Sequence, residues 1–268
     1  MSVCMKLSLF TAFAFLTLVP ISHAPLLPST THTTSFPNAE NPISEGDKWV
    51  NGRADGVDWF DVKTTPGKAY GNRSTGNYTD PTAILKGSWD PDQTVSARVF
   101  CTKPTSKYYQ EVEIRLRSTM TAHSCTGYEI FWRCLTDSNG YTQVVRWNGA
   151  VGDFTYIDKR HTGVGYGVAD GDTVSASIVG NLISVYRNGA LIFTTSDSTY
   201  RDGSPGMGFN YGVGTTNTDF GFTSFTATDT GTLGESRFGV RSGIPYEFLT
   251  CMNWVQVGVR LNLPQFPG

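Results

Sequence analysis

Residues Asp172 to Ala227 read DTVSASIVGNLISVYRNGALIFTTSDSTYRDGSPGMGFNYGVGTTNTDFGFTSFTA. Gly180-Asn181 and Asn188-Gly189 each interrupt a run rich in β-branched residues. Two-residue loops of that composition supply the positive φ angles that a tight hairpin needs. The segment therefore predicts three antiparallel strands, SASIV, LISVYR and ALIFTTS, joined by two reversals. Val174, Ala176 and Ile178 alternate with Thr173, Ser175 and Ser177, so the first strand has one apolar and one polar face. After Ser204-Pro205-Gly206 come MGFNYGV and a closing strand, FGFTSFTA. A large antiparallel sheet is the expectation.

The same period of two runs upstream. TVSARVF (94–100) precedes YYQEVEIRLRS (108–118), in which Val112, Ile114 and Leu116 share one face. Tyr109, Glu111, Glu113, Arg115 and Arg117 share the other. GYEIFWRC (127–134) and YTQVVRWN (141–148) are joined by the turn residues Asp137-Ser138-Asn139-Gly140, and VDWFDV and TAILKGSW add shorter strands. No stretch between 41 and 228 keeps a helical period over ten residues. About ten to twelve short strands predict an all-β domain of two packed sheets.

The chain ends read differently. Lys6 precedes an apolar run, Leu7 to Ile21, and Ser22-His23-Ala24 offers small residues where a signal peptidase cleaves. Residues 1–24 thus predict a secretory signal and an extracellular protein. The run is shorter than the ~20 residues a membrane span needs, and no later segment is apolar enough for one. Residues 25–40, PLLPSTTHTTSFPNAE, predict a flexible leader. Residues 229–268 follow a natural end; MNWVQVGVRLNL within them reads either as an edge strand or as an extension.

Composition narrows the partners. The net charge is −2 and charged residues make up 16%, against roughly a quarter in average domains. With no Lys/Arg block, nucleic acid and anionic membranes are excluded as expected partners. Cys4 lies in the expected signal peptide; without that segment Cys101, Cys125, Cys134 and Cys251 remain. Four cysteines in an oxidising compartment allow three pairings, and spacing does not choose among them. Asn72-Arg73-Ser74 and Asn77-Tyr78-Thr79 are N-glycosylation sequons. No His/Cys cluster has zinc spacing, and no cofactor is expected; Asp170-Gly171-Asp172 and Asp197 offer at most a Ca²⁺ turn.

The succession GYEIFWR, YTQVVRWNG, GDTVSASIVGNLISVYRNGALIFTTSDSTYRDGSPGMGF and DFGFTSFTA resembles the concanavalin A-like lectin/glucanase superfamily, its laminin-G-like and secreted members in particular. The likeness covers residues 41 to 228, and the hairpin GN-x-I-x-V-Y-x-NG carries it. It implies a jelly-roll sandwich of two curved antiparallel sheets, with a concave face that often binds carbohydrate. Lectins, hydrolases, lyases and adhesion modules share that fold, so it does not imply catalysis.

Three functional readings follow. Glu111 and Glu113, two apart on a strand, present paired carboxylates, which glycoside hydrolysis requires. The laminarinase-type motif Glu-x-Asp-x-Glu is only partly matched, because Arg115 stands where its third acid would be. Jelly-roll polysaccharide lyases are similar at Glu113-Ile114-Arg115 and at Gln143, but Val145 replaces their His, leaving Tyr128 or Tyr141 as candidate base. The third reading is binding of an extracellular polysaccharide or glycan. Tyr109, Glu129, Trp132, Arg133, Gln143, Arg146 and Trp147 lie on neighbouring strands; aromatic rings stack on sugar faces while Arg and amides hold hydroxyls. Alternation turns one of Trp132/Arg133 and one of Arg146/Trp147 to the groove. A flat, apolar concave face would instead point to protein adhesion.

Overall fold

Alternating apolar residues must be buried between two layers, and that is how the chain folds. A computed structural model describes residues 29–74, 78–211 and 216–230. The expected signal peptide, Asn77, Cys251 and the tail from residue 231 lie outside the described residues. Numbered along the chain, fifteen strands form among the described residues, in two antiparallel sheets. The first sheet runs β13 (Ala190–Ser196), β12 (Leu182–Arg187), β11 (Thr173–Val179), β6 (Gln93–Cys101), β15 (Phe220–Asp229), β4 (Lys68–Gly71), β3 (Val62–Thr65), with β1 (Thr31–Thr34) also pairing β15. The second runs β10 (Phe154–Thr162), β9 (Tyr141–Gly149), β8 (Ser124–Arg133), β7 (Gln110–Thr121), β14 (Ser204–Tyr211), β5 (Thr82–Leu85), β2 (Trp49–Asn51). The jelly-roll sandwich is the expected one. Among the described residues no helix is long and apolar enough to cross a membrane.

The meander read from Asp172 onward forms one side of the first sheet. Val179 pairs with Leu182 and Arg187 with Ala190, so each reversal is a two-residue loop. Gly180, Asn188 and Gly189 take φ of 57°, 51° and 77°, the left-handed values those loops need. Val174, Ala176 and Ile178 turn inward with no exposure, as do Val112, Ile114 and Leu116 of β7 and Ile130 and Trp132 of β8. Burying each such side chain contributes about 1.5–3 kcal/mol, so one contiguous core between the sheets holds them together.

Three local features depart from the sequence reading. Thr31–Thr34 is a strand within the expected leader: Thr31 pairs with Thr228 and Thr33 with Thr226, and β-branched threonines suit an edge. β10 has two register shifts against β9, and this irregularity together with its charged residues hides it from a period-two search. The third is a bulge. Pairing of β7 with β8 slips between Leu116 and Thr119, and Arg117 has φ 47°. Arg117 therefore leaves the face of Glu111, Glu113 and Arg115, and its guanidinium donates to the Pro91 and Tyr200 carbonyls.

Candidate functional site

The face of the second sheet turned away from the core carries the alternate residues of its central strands. β7 contributes Glu111, Glu113 and Arg115; β8 contributes Glu129, Phe131 and Arg133; β9 contributes Tyr141, Gln143, Val145 and Trp147. Register sets Glu111 opposite Arg133, Arg115 opposite Glu129, and Phe131 opposite Gln143. On β14, Gly208 stands opposite Glu113. A methyl group there would come within 2.2 Å of Glu113 Oε2 and 3.2 Å of Arg115 Nε. The absent side chain is what lets Glu113 and Arg115 lie flat beneath the surface.

Above them is a hollow of ≈ 400 Å³. Asp80, Glu111, Glu129, Gln143 and Asn210 give it a polar floor. Phe131, Tyr141, Trp147 and Phe154, with Tyr78, Tyr109 and Tyr156, line its walls. Tyr109 is 56% and Tyr156 45% exposed, so both rings are open to solvent in part. On one side the walls form a chain of ring contacts: Trp59 on Trp147, Trp147 on Phe154, and Phe154 on both Tyr78 and Tyr156. On the other, Arg133 lies 5.6 Å from the Tyr109 and Tyr141 ring centres and donates to the Asn139 and Ser106 carbonyls. It braces that wall from behind.

Charge is concentrated in the floor. Arg115, 1% exposed, donates from Nη2 to Glu113 Oε2 at 2.9 Å and Thr82 Oγ1 at 3.1 Å, and its Nη1 is ion-paired with Glu129 Oε2 at 2.7 Å. Trp147 Nε1 also donates to Glu129. Oxygen atoms of Asp80, Glu113 and Glu129 all lie within 4.8 Å of one another. Arg115 and, at Asp80, Arg73 are the cations facing these three carboxyls, and burial favours the protonated form of a carboxyl. Burial, reinforced by Glu129, pushes Asp80 up to about 8. The same causes push Glu113 well above the carboxylate range, against the pull of Arg115. Burial raises Glu111 to about 7 although Tyr141 and Asn210 donate to its carboxylate. Arg73 bridges Asp80 (3.4 Å) and Asn210 (2.6 Å).

The structure thus gathers Tyr109, Glu111, Glu129, Tyr141, Gln143 and Trp147 around one hollow. It seals Glu113 and Arg115 below it. Of the two either-or pairs, Arg133 and Trp147 take the groove side. Trp132 is fully buried in the core, which corrects its assignment as a ligand platform. Tyr128 also faces the core; its hydroxyl donates to Asp197 at 2.7 Å, so it is not a groove base. Arg146 reaches the same Asp197 at 2.6 Å, away from the hollow. Their residue types suit sugar binding, but the pleat sends them inward.

Sequence reasoning missed Asp80, Tyr78, Phe131, Val145, Phe154, Tyr156 and Asn210. Alternation on 127–134 and 141–148 carries the signal for Phe131 and Val145. Asp80 and Tyr78 come from a loop without periodicity, and Phe154 and Tyr156 from the irregular β10. The turn aspartates are engaged by protein donors. Asp170 accepts from Cys101 N, Asp172 from Ala169 N and Asn188 Nδ2, and Asp197 from Thr199 N. Asn72 spends its side-chain amide on Asn41 and on the Asp61 backbone.

No protein-family model and no curated protein sequence matches the chain. Solved structures do. The carbohydrate-binding module CBM66 from Bacillus subtilis is similar at 14% identity and a TM-score of 0.45, over 70% of this chain and 96% of that one. The carbohydrate recognition domain of Emp46p is similar at 12% identity and a TM-score of 0.43, over 75% of this chain and all of that one. A β-glucanase from Bacillus licheniformis is similar at 17% identity and a TM-score of 0.41, over 75% of this chain and 95% of that one.

Proposed function

We propose that the chain is a secreted carbohydrate-binding jelly-roll whose ligand lies in the hollow of the second sheet. The observation that carries this reading is the pairing of exposed tyrosine rings with carboxyl and amide groups in one ≈ 400 Å³ depression. Sugar rings have apolar faces and hydroxylated edges, and a site of this make-up meets both. Among the described residues, the lining holds Asp80, Glu111 and Glu129 and no Lys, Arg or His. That balance suits neutral or amino-bearing glycans and disfavours uronate or sulfated ones, whose charge would face buried carboxyls. It also weighs against the lyase alternative. Arg115, the arginine such a reaction needs against a uronate, is sealed and already paired. A hollow with an acidic floor likewise differs from the flat, apolar face that protein adhesion requires. The test is affinity electrophoresis of the full chain in gels containing β-glucan, chitosan, pectate or alginate. Retardation by a neutral or amino polysaccharide is expected. Free migration in all four, or retardation by the uronates alone, overturns the reading.

One observation favours hydrolysis as a second reading. Asp80 and Glu129 both line the hollow, with oxygens inside 4.8 Å of each other, close to the ~5 Å between carboxyl groups in retaining glycosidases. Asp80, raised to about 8, holds the proton a leaving sugar would take. Release of reducing ends from the bound polysaccharide, abolished by Glu129→Gln, would establish it; no release with intact binding leaves a pure binder.

A further inference from the structure

Cys101 closes β6 in the first sheet, and Cys134 follows β8 in the second. Both sit in the core between the sheets, 4% and 1% exposed. Cys101 Sγ lies 3.8 Å from the Cys134 carbonyl oxygen. Having Cys134 as its neighbour holds Cys101 below the ordinary thiol range, while burial pushes Cys134 up. Cys125 lies on the opposite face of the second sheet, among Trp59, Phe131 and Trp147, and burial raises it to about 11. A sheet therefore stands between Cys125 and the other two. Pairings of Cys125 with either are closed, and among the described cysteines only Cys101 and Cys134 share one side of the sheet and approach each other.

The three described cysteines carry free thiols in this structure. We infer that in an oxidising compartment Cys101 and Cys134 become a disulfide that ties the two sheets together. The bond forms before the core closes. The Cys101 thiolate attacks one sulfur of a small disulfide such as oxidised glutathione, expelling a glutathione thiolate. The Cys134 thiolate then displaces the second glutathione from the mixed disulfide. The cysteines lose two electrons, oxidised glutathione gains them, and the two thiol protons pass to the departing glutathiones. The bond would close a loop of 33 residues. It would also fix the base of the 102–109 segment, whose far end carries Tyr109 and whose Ser106 carbonyl is gripped by Arg133.

The test uses the full chain, refolded with oxidised and reduced glutathione, denatured, alkylated with iodoacetamide and digested without reductant. A linked peptide pair containing Cys101 and Cys134, lighter by two hydrogens than its parts, is expected, with Cys125 alkylated. The oxidised protein should melt about 10 °C above the same protein in excess reductant, as a loop of this length predicts. Cys125→Ser should keep that shift and Cys101→Ser should abolish it. Should Cys101→Ser fail to fold, the wild-type comparison alone decides. Alkylated Cys101 and Cys134 in the refolded protein, or a bond from either to Cys125 or Cys251, overturns the inference.

Discussion

Replacing Arg115 with Met keeps most of the side chain's volume and removes its charge. In the native protein that guanidinium is 1% exposed and lies 2.9 Å from Glu113 and 2.7 Å from Glu129. Without it, Asp80, Glu113 and Glu129 remain within 4.8 Å of one another and buried, with Arg73 near Asp80 as partial compensation. Breaking a buried pair from one side costs about 3–5 kcal/mol. At ~2–4 °C per kcal/mol for a domain of this size, the melting temperature should fall by about 6–20 °C. The loss has a pH signature. Asp80 and Glu113 already have raised folded pKa values, and losing Arg115 raises them further. Their stabilisation is complete below the unfolded carboxyl range near ~4 and is lost as pH climbs through the folded values. The deficit of Arg115→Met should therefore be largest near pH 8 and shrink toward pH 5. Urea unfolding of both proteins at pH 5, 6.5 and 8 measures this directly. A deficit below about 1 kcal/mol at pH 8, or one that does not change with pH, would refute the account of the floor as an under-compensated acid cluster.

The wild type should itself lose stability between pH 5 and 8.5, because Asp80 titrates near 8 and Glu111 near 7 in the folded protein. The slope approaches ~1.4 kcal/mol per pH unit for each group between its unfolded and folded values, and Asp80→Asn should flatten it in urea titrations. Tyr109→Ala and Tyr156→Ala should each weaken polysaccharide retardation by about two- to tenfold, the worth of one stacked ring. Neither should shift the melting temperature, since both rings are exposed. Trp132→Ala should behave oppositely: a loss of about 3–5 kcal/mol from a core cavity, with glycan affinity per folded molecule unchanged. Gly208→Ala should unfold the floor, because its methyl group would collide with Glu113 and the backbone alternative is fixed by pairing on both sides.

The two-sheet architecture was legible because its evidence is local. Val174, Ala176 and Ile178 needed only a period of two, and Gly180-Asn181 and Asn188-Gly189 needed only their own composition. The groove was half legible for the same reason: once β7 is placed, alternation puts Glu111, Glu113 and Arg115 on one face. Alternation does not say which face is covered. Glu113 and Arg115 share the face of Glu111, yet Gly208 on the adjacent strand lets them sink below the floor. Arg117 broke the pattern because a bulge at a non-glycine residue leaves no mark in composition. Asp80 and Tyr78 enter from a loop more than thirty positions from Glu111 in sequence, and only the tertiary fold brings them to the floor.

The same burial decides what the arginine in Glu111-Val-Glu113-Ile-Arg115 does. On an exposed strand, Arg115 would be a ready clamp for a carboxylated sugar and the lyase comparison would be the natural one. Here each outward branch of the guanidinium is already spoken for, Nη1 by Glu129 and Nη2 by Glu113 and Thr82. Recruiting it to an anionic ligand would strip two buried carboxyls of their cation. The penalty is that of Arg115→Met, about 3–5 kcal/mol, or a factor of about 150 to 5,000 in affinity. Arg115 therefore acts as the counter-charge of Glu113 and Glu129 beneath the hollow. Glu129, beside Trp147 in the lining, then offers carboxyl oxygens to a ligand, and on the proposed reading those favour donors: hydroxyls and amines.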